Sequence, residues 1–221
     1  MEQKLFARVD QYIEQVSCGE DENLRRISRS IQESGIPDAS VSPNQGKYLE
    51  ILARTAGSRR ILELGTLGGY STVWLARSLP SDGKLITIEF DPKHAQLARS
   101  NFALAGLDHI IELREGRALD ILREMIRNEE THFDFVFIDA DKPPYKEYFQ
   151  LVIQMCRKGA MIICDNVIRN GQVLDPACDD EKVKGVQRLN EWLMECKEVA
   201  ATIVQNVGVK EHDGMVVAVV I

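Results

Sequence analysis

Between Arg60 and Asn166, five short apolar runs, RILEL, KLITIEF, IIELRE, FDFVFID and AMIICDN, alternate with longer amphipathic segments. A strand with one face in water alternates apolar and polar residues, whereas these runs are apolar on both faces and too short for helices of ordinary length. Such strands must be covered on both sides, so the segments between them read as crossover helices of repeated β-α-β units. A chain of 221 residues can bury one substantial core of this kind, and two full domains would be cramped. The expected organisation is therefore one α/β domain over residues 1–221, with a helical extension at 1–56 and a ligand-binding core at 57–221.

The extension is helical by its periodicity. Leu5, Val9, Tyr12, Ile13 and Val16 share one face, and Leu24, Ile27 and Ile31 another. The stretch SPNQGKYLEIL opens a fresh helix, with Ser42 as N-cap, Pro43 at the first helical position and Gln45 completing a capping box. After a polar loop around RNGQVLDPACDDEK and a helix near Val183 to Cys196, the runs VAATIVQNV and GMVVAVVI are joined through GVKEHDG. Its Asp-Gly pair predicts a closing hairpin, so the final strands should be antiparallel.

The formal net charge of -7 disfavours nucleic acid as a partner, because neutralising phosphates needs clustered Lys and Arg. Five cysteines without a CxxC pair fit reduced thiols, and the opening residues lack the uninterrupted apolar core of a signal peptide. A cytoplasmic protein with no membrane partner is expected, since no stretch is apolar enough over a sufficient length to span a bilayer.

In an open parallel sheet, ligands bind beyond the carboxyl ends of the strands. The first end, ILELGTLGGYSTVWLA, puts Gly65, Gly68 and Gly69 between a strand and a helix, where backbone N–H groups and missing Cβ atoms allow close approach of a ligand. The spacing departs from GxGxxG, and Glu63 just before it suits a positively charged ligand better than a pyrophosphate; an ordinary strand-to-helix turn is the alternative. At the second end, Glu89 is suited to ribose hydroxyls and Asp91 to capping the next helix. The third and fourth ends bring Asp139 and the Asp165–Asn166 pair to the same edge of neighbouring strands. Three such oxygen ligands suit a hard divalent cation, Mg²⁺ above all, with Ca²⁺ or Mn²⁺ as substitutes; turn-capping acids are the alternative. Lys142 lies within reach of a cation-bound hydroxyl as a base, or is merely solvated. Asp141 reads as an N-cap for a helix starting around Pro144. Tyr145 and Tyr148 read as core or rim, and an aromatic at the mouth of a cationic cofactor's site would add cation–π stabilisation.

Taken in order, ILELGTLGGYSTVWLA, ITIEFDPKHAQLARSNFALAGL, LREGRAL, FDFVFIDADK and IICDNVIRNGQV resemble the motifs of metal-dependent class I S-adenosylmethionine O-methyltransferases of the caffeoyl-CoA and catechol O-methyltransferase-like family. The chain looks like a bacterial member from about Ser42 onward. The resemblance implies a Rossmann-like seven-stranded mixed sheet with an antiparallel last strand, flanked by helices, and a homodimer. It implies that Glu63, Gly65, Ser71, Glu89 and Ala118 surround S-adenosylmethionine: Glu63 and Ser71 by its methionine part, Glu89 on the ribose, Ala118 by the adenine. Asp139 and Tyr148 join the cofactor-binding set. Asp139, Asp165 and Asn166 correspond to the metal ligands, and Asp139 and Lys142 to the catalytic pair, Lys142 being the family's proposed base. The expected reaction is methyl transfer to one hydroxyl of a catechol-like small molecule. The lead-in before Ser42 and the loop from Gly171 to Lys184 match no plant-type CoA-binding pattern, and the acidic DPACDDE sits badly with a CoA thioester, so free catechol, flavonoid and CoA ester all remain as acceptors. A nicotinamide-dependent oxidoreductase and a non-catalytic S-adenosylmethionine-binding module are the rival readings from the fold; the first lacks its fingerprint, and the second leaves Asp165 and Lys142 without a role.

Overall fold

The computed structural model describes residues 2–221, and the five apolar runs form its parallel strands. They are β1 (Arg60–Leu64), β2 (Lys84–Glu89), β3 (Ile111–Glu115), β4 (Phe133–Ile138) and β5 (Cys156–Asp165), followed by β6 (Val199–Gly208) and β7 (Glu211–Val220). The sheet order is β3-β2-β1-β4-β5-β7-β6. The first five strands are mutually parallel, and β7 runs antiparallel to both β5 and β6, as the apolar hairpin pattern predicts. Succession outward from β1 goes one way through β2 and β3 and the other way through β4 and β5, so a crevice opens beyond the ends of β1 and β4.

Among the described residues the α-helices are α1 (Glu2–Ile13), α2 (Glu22–Glu33), α3 (Pro43–Thr55), α4 (Tyr70–Ala76), α5 (Pro92–Ala105), α6 (Ala118–Arg127), α7 (Tyr145–Met155) and α8 (Glu181–Glu195), with a π-helical turn at Glu14–Cys18 and a 3-10 segment at Arg169–Leu174. On one face of the sheet Ile61, Phe135 and Phe137 pack with Trp74, Phe102 and the α2 residues Leu24, Ile27 and Ile31. On the other, Leu62, Val136 and Ile162 pack with Tyr145, Phe149 and Leu189. Successive residues of one strand thus enter opposite cores, which is why the runs carry no polar alternation. Each fully buried aliphatic or aromatic side chain contributes about 1.5–3 kcal/mol, and the extension shares this core through α2 and α3.

Ser42 accepts from Gln45 N and Gln45 returns the bond in a capping box, while Asp91 accepts from Lys93 N at 2.8 Å at the head of α5. Two expectations need correction. Asp141 does not cap α7, which begins at Tyr145 with Pro144 as its uncapped N-cap; its carboxylate accepts from the Tyr148 hydroxyl instead. The Asp213–Gly214 pair is not the hairpin turn. Val209 and Lys210 make the connection, Glu211 takes the left-handed φ of 72°, and Asp213 lies inside β7, where it accepts N–H bonds from Ile168 and Arg169 at 2.9 and 3.0 Å. The apolar face of α1 is exposed, Leu5 by 56% and Tyr12 by 64%.

Candidate active site

The glycine loop after β1 is shaped by a contact that only glycine permits. Gly65 has a φ of 93°, and a Cβ on it would stand 2.1 Å from the backbone oxygen of Asp139 at the end of β4. The two strand ends are therefore pressed together at the crevice. Gly69, at φ 84°, turns the chain into α4. Glu89, ending β2, accepts from Thr66 N at 3.2 Å, Leu67 N at 2.8 Å and Asp91 N at 2.9 Å, holding the glycine loop while its carboxylate faces the crevice. A cleft of about 750 Å³ results, and Gly65, Ser71, Glu89, Ala118, Asp139 and Tyr148 all line it. Val41 and Tyr70 also line it, neither of which the sequence singled out.

Glu63 does not line the cleft. It is fully buried beneath it, accepting from Ser71 Oγ at 2.7 Å, Thr87 Oγ1 at 2.7 Å and Thr72 Oγ1. Burial pushes its pKa up to about 7 despite the three hydroxyl donors, and of those donors Ser71 is the one that also lines the cleft. Thr72 and Thr87 carried no signal as isolated threonines; only strand pairing brings them to one carboxylate.

Parallel register pairs Ile138 with Cys164, so Asp139 and Asp165 emerge side by side, as their positions after the two apolar runs suggest. Asp139 Oδ1 accepts from Lys142 Nζ at 2.8 Å. Lys142, 7% exposed, also donates to the Tyr145 hydroxyl, which in turn donates to the backbone oxygen of Asp165 at 3.1 Å. Burial, above all other causes, holds the Tyr145 hydroxyl protonated. Neither Lys142 nor Asp165 is part of the cleft wall; both stand just behind Asp139 and Asn166, which are. Asn166 has the left-handed φ of 59° that Asn tolerates better than most residues.

Whether this group suits a cation follows from its charge. Asp165 is 3% exposed, and burial followed by the charge of Asp139 raises its pKa to about 7. Of the two carboxylates Lys142 bonds that of Asp139 alone, so among the described residues the neighbouring Asp165 carboxylate has no bonded cation, a place a hard dication would suit, and the Asn166 amide adds a neutral oxygen. Among the described residues no group of three His, Cys, Asp or Glu converges; two carboxylates and an amide are a donor set that suits a hard ion with open positions.

A second cleft of about 350 Å³ lies on the other side of Asn166, which lines both. Its walls come from α1 (Asp10), the start of α3 (Asn44, Gln45, Tyr48) and the β6–β7 hairpin. Its acidic members Asp10, Glu211 and Asp213 face one lysine, Lys210, which is itself 3.8 Å from Asp38. Gly185 of α8 was also missed: its Cβ would meet the backbone oxygen of Lys142 at 2.2 Å, so α8 buttresses the loop carrying that lysine. A glycine in mid-helix, where alanine is favoured, was the available clue.

A family model described as O-methyltransferase matches residues 14–220. A catechol O-methyltransferase of Niastella koreensis is 49% identical over 220 residues, covering 100% of both chains. Among solved structures, the O-methyltransferase of Bacillus cereus in complex with SAH superposes with a TM-score of 0.96 at 43% identity, covering 99% of each chain. The O-methyltransferase TomG of Streptomyces achromogenes, involved in tomaymycin synthesis and solved with SAM, gives 0.95 at 45% identity, covering 100% of this chain and 99% of that one.

Proposed function

From the premise that the chain belongs to the O-methyltransferase family, we propose that it transfers a methyl group from S-adenosylmethionine to one hydroxyl of a vicinal dihydroxy aromatic compound, with a divalent cation held by Asp139, Asp165 and Asn166. Family membership sets the oxidoreductase alternative aside. The observation that carries the reading is that Asn166 borders both clefts, so a large donor-sized space and a smaller acceptor-sized one meet at the acid–amide group.

The donor brings an electrophilic methyl on a sulfonium, and SAH- and SAM-bound relatives support its lying in the larger cleft. There Glu89 is suited to the ribose hydroxyls, Ser71 to the methionine part, Ala118 to the adenine, and Tyr148 to the cationic sulfur's surroundings. Mg²⁺, or Mn²⁺ or Ca²⁺ in its place, would supply Lewis acidity that eases ionisation of a catechol hydroxyl. Lys142, bonded to Asp139, takes the released proton, with solvent as the competing acceptor. The two clefts hold oxygen and methyl in line, and such orientation supplies about 7–11 kcal/mol of the barrier reduction. Incubation with donor and a panel of catechols, flavonoids and caffeoyl esters, with and without chelator, should give a methyl mass gain that chelator removes. No gain on any vicinal diol would reject the reading in favour of a binding module, and gain undiminished by chelator would reject the cation. The acidic rim of the second cleft favours free catechols over a polyanionic CoA ester in that panel.

The exposed stripe of α1 supports a homodimer in solution. Leu5, Val9, Tyr12 and Ile13 of α1, with Val16 in the turn that follows it, present apolar surface beside Val204 and Val207 of the edge strand β6, against which α1 packs. Sedimentation should give twice the chain mass, and Leu5→Glu with Tyr12→Glu should halve it; an unchanged mass would move the interface elsewhere. We take residues 1–56 as the segment shaping the acceptor side and the dimer, 57–221 as the donor-binding core, and the cytoplasm, where all five free cysteines stay reduced, as the compartment. Among the described residues no helix is long and apolar enough to cross a membrane.

A further inference from the structure

We propose that Tyr145 is a positioning residue for methyl transfer, its hydroxyl fixing the direction in which Lys142 Nζ faces the acceptor. The inference rests on the function proposed above and on the role of Lys142 in it.

The argument is one of valence. A lysine nitrogen has four tetrahedral directions, and the side-chain carbon takes one. A second points to Asp139 Oδ1 at 2.8 Å and a third to the Tyr145 hydroxyl oxygen. Tyr145 has a single hydroxyl proton, and it goes to the backbone oxygen of Asp165 at 3.1 Å, so towards Lys142 the phenol can only accept. Both protein-facing directions of Nζ must therefore carry N–H. Among the described residues no other acceptor bonds Nζ, which leaves the fourth direction unbonded and, on the proposed function, open to the hydroxyl of an acceptor that reaches past Asp139 and Asn166 in the cleft wall. The two protein-facing bonds together fix the remaining direction of Nζ. Without the hydroxyl, the Asp139 bond alone would hold Nζ, leaving it free to swing about that one contact.

The tyrosine ring cannot do this alone. It is fully buried and packs with Leu62, Val136 and Phe149, a role that phenylalanine would fill equally, and the ammonium lies 4.7 Å from the ring centroid. The hydroxyl adds a burial cost that is offset only because both of its bonds are made. It also ties Lys142, just beyond β4, to the last residue of β5, so the ammonium keeps one place relative to both strand ends. The loop itself is held separately, by Gly185 against the Lys142 oxygen and by Arg188 donating to the Pro143 oxygen at 2.8 Å. Tyr145→Phe should therefore free Nζ without releasing the backbone.

The test uses the full chain with Tyr145→Phe, Lys142→Met and the double variant, assayed with catechol, donor and Mg²⁺, rates being normalised to donor-binding sites counted by calorimetry. Tyr145→Phe should lower kcat by about 10- to 100-fold, with the catechol KM and donor Kd within about twofold, as expected of a misdirected proton-transfer group. The double variant should be no slower than Lys142→Met, since a residue acting through another adds no loss once that other is gone. A Tyr145→Phe kcat within twofold of the parent's, or losses that multiply in the double variant, would overturn the proposal. So would loss of folding and donor binding in Tyr145→Phe, which would make the residue a packing element. A parent inactive on catechol would count against the proposed function, and a readout free of turnover then decides. The ¹⁵Nζ resonance of Lys142, assigned by its absence in Lys142→Met, should show N–H protons protected from solvent exchange in the parent and unprotected in Tyr145→Phe; equal exchange in both would refute the positioning.

Discussion

Replacing Asp165 by alanine should lower kcat by about 10³-fold while leaving the affinity for S-adenosylmethionine within about twofold. The size follows from removing a group that holds charge stabilisation at the reacting oxygen, which is ordinarily worth about 10²–10³ or more. The selectivity follows from position: Asp165 stands outside the larger cleft and shares no hydrogen bond with Ser71, Glu89 or Ala118, the wall residues suited to the donor; its one bond to the wall is from Asn166 N. Folding should not suffer. The side chain's bond is a local one from Asn166 N at 2.8 Å, and a buried carboxylate facing another carboxylate is a cost to the folded state rather than a support. Calorimetric titration with SAH, Mg²⁺ titration and turnover on catechol separate the terms. Equal losses of donor affinity and turnover would show that Asp165 shapes the donor cleft, and retained turnover would remove it from the cation set.

Much of this arrangement was readable in the chain because it is local or periodic. The strand runs show both-face burial directly, the Ser42–Gln45 box is spelled out within four residues, and Asp139 and Asp165 follow adjacent parallel runs, so their proximity needs only the right-handed crossover. What failed depended on partners that no local motif spells out. Asp141 has the composition of a cap, but the Tyr148 hydroxyl reaches it first across the head of α7. Asp213–Gly214 has the composition of a turn, yet the loop after β5 presents two N–H groups that draw the carboxylate into the sheet. Glu63 was legible as an acid near the glycine loop, though not as one closed off by Ser71, Thr72 and Thr87. The periodicity of α1 defines an apolar face without saying what covers it. Tyr145 illustrates the same limit, since a buried tyrosine that fills space and one that orients a lysine are the same letter.

Gly65→Ala should destabilise the fold by about 2–5 kcal/mol and reduce donor affinity and turnover together, by about 10²-fold. Two costs add. A left-handed φ of 93° strains any residue with a Cβ, by about 1–2 kcal/mol, and the new methyl would lie 2.1 Å from the Asp139 carbonyl, an overpacking of backbone on backbone that costs about 1–3 kcal/mol more. A flexible side chain could turn away from such a contact, but this carbonyl cannot. Asp139 N donates to the oxygen of Leu64 at 2.9 Å and Gly65 N to that of Ile88 at 3.0 Å, so neither strand end can retreat without breaking the sheet. The glycine loop must shift instead, and with it the Thr66 and Leu67 N–H groups that fix Glu89 in the cleft wall. Gly106→Ala separates strain from collision, because Gly106 has a comparable φ of 70° but no atom within 4 Å of an added Cβ. Denaturant midpoints should move modestly for Gly106→Ala and far more for Gly65→Ala, and only the latter should weaken SAH binding. If the two variants behaved alike, the pressing together of β1 and β4 would carry no functional weight, and the donor and cation sites would have to be regarded as mechanically independent.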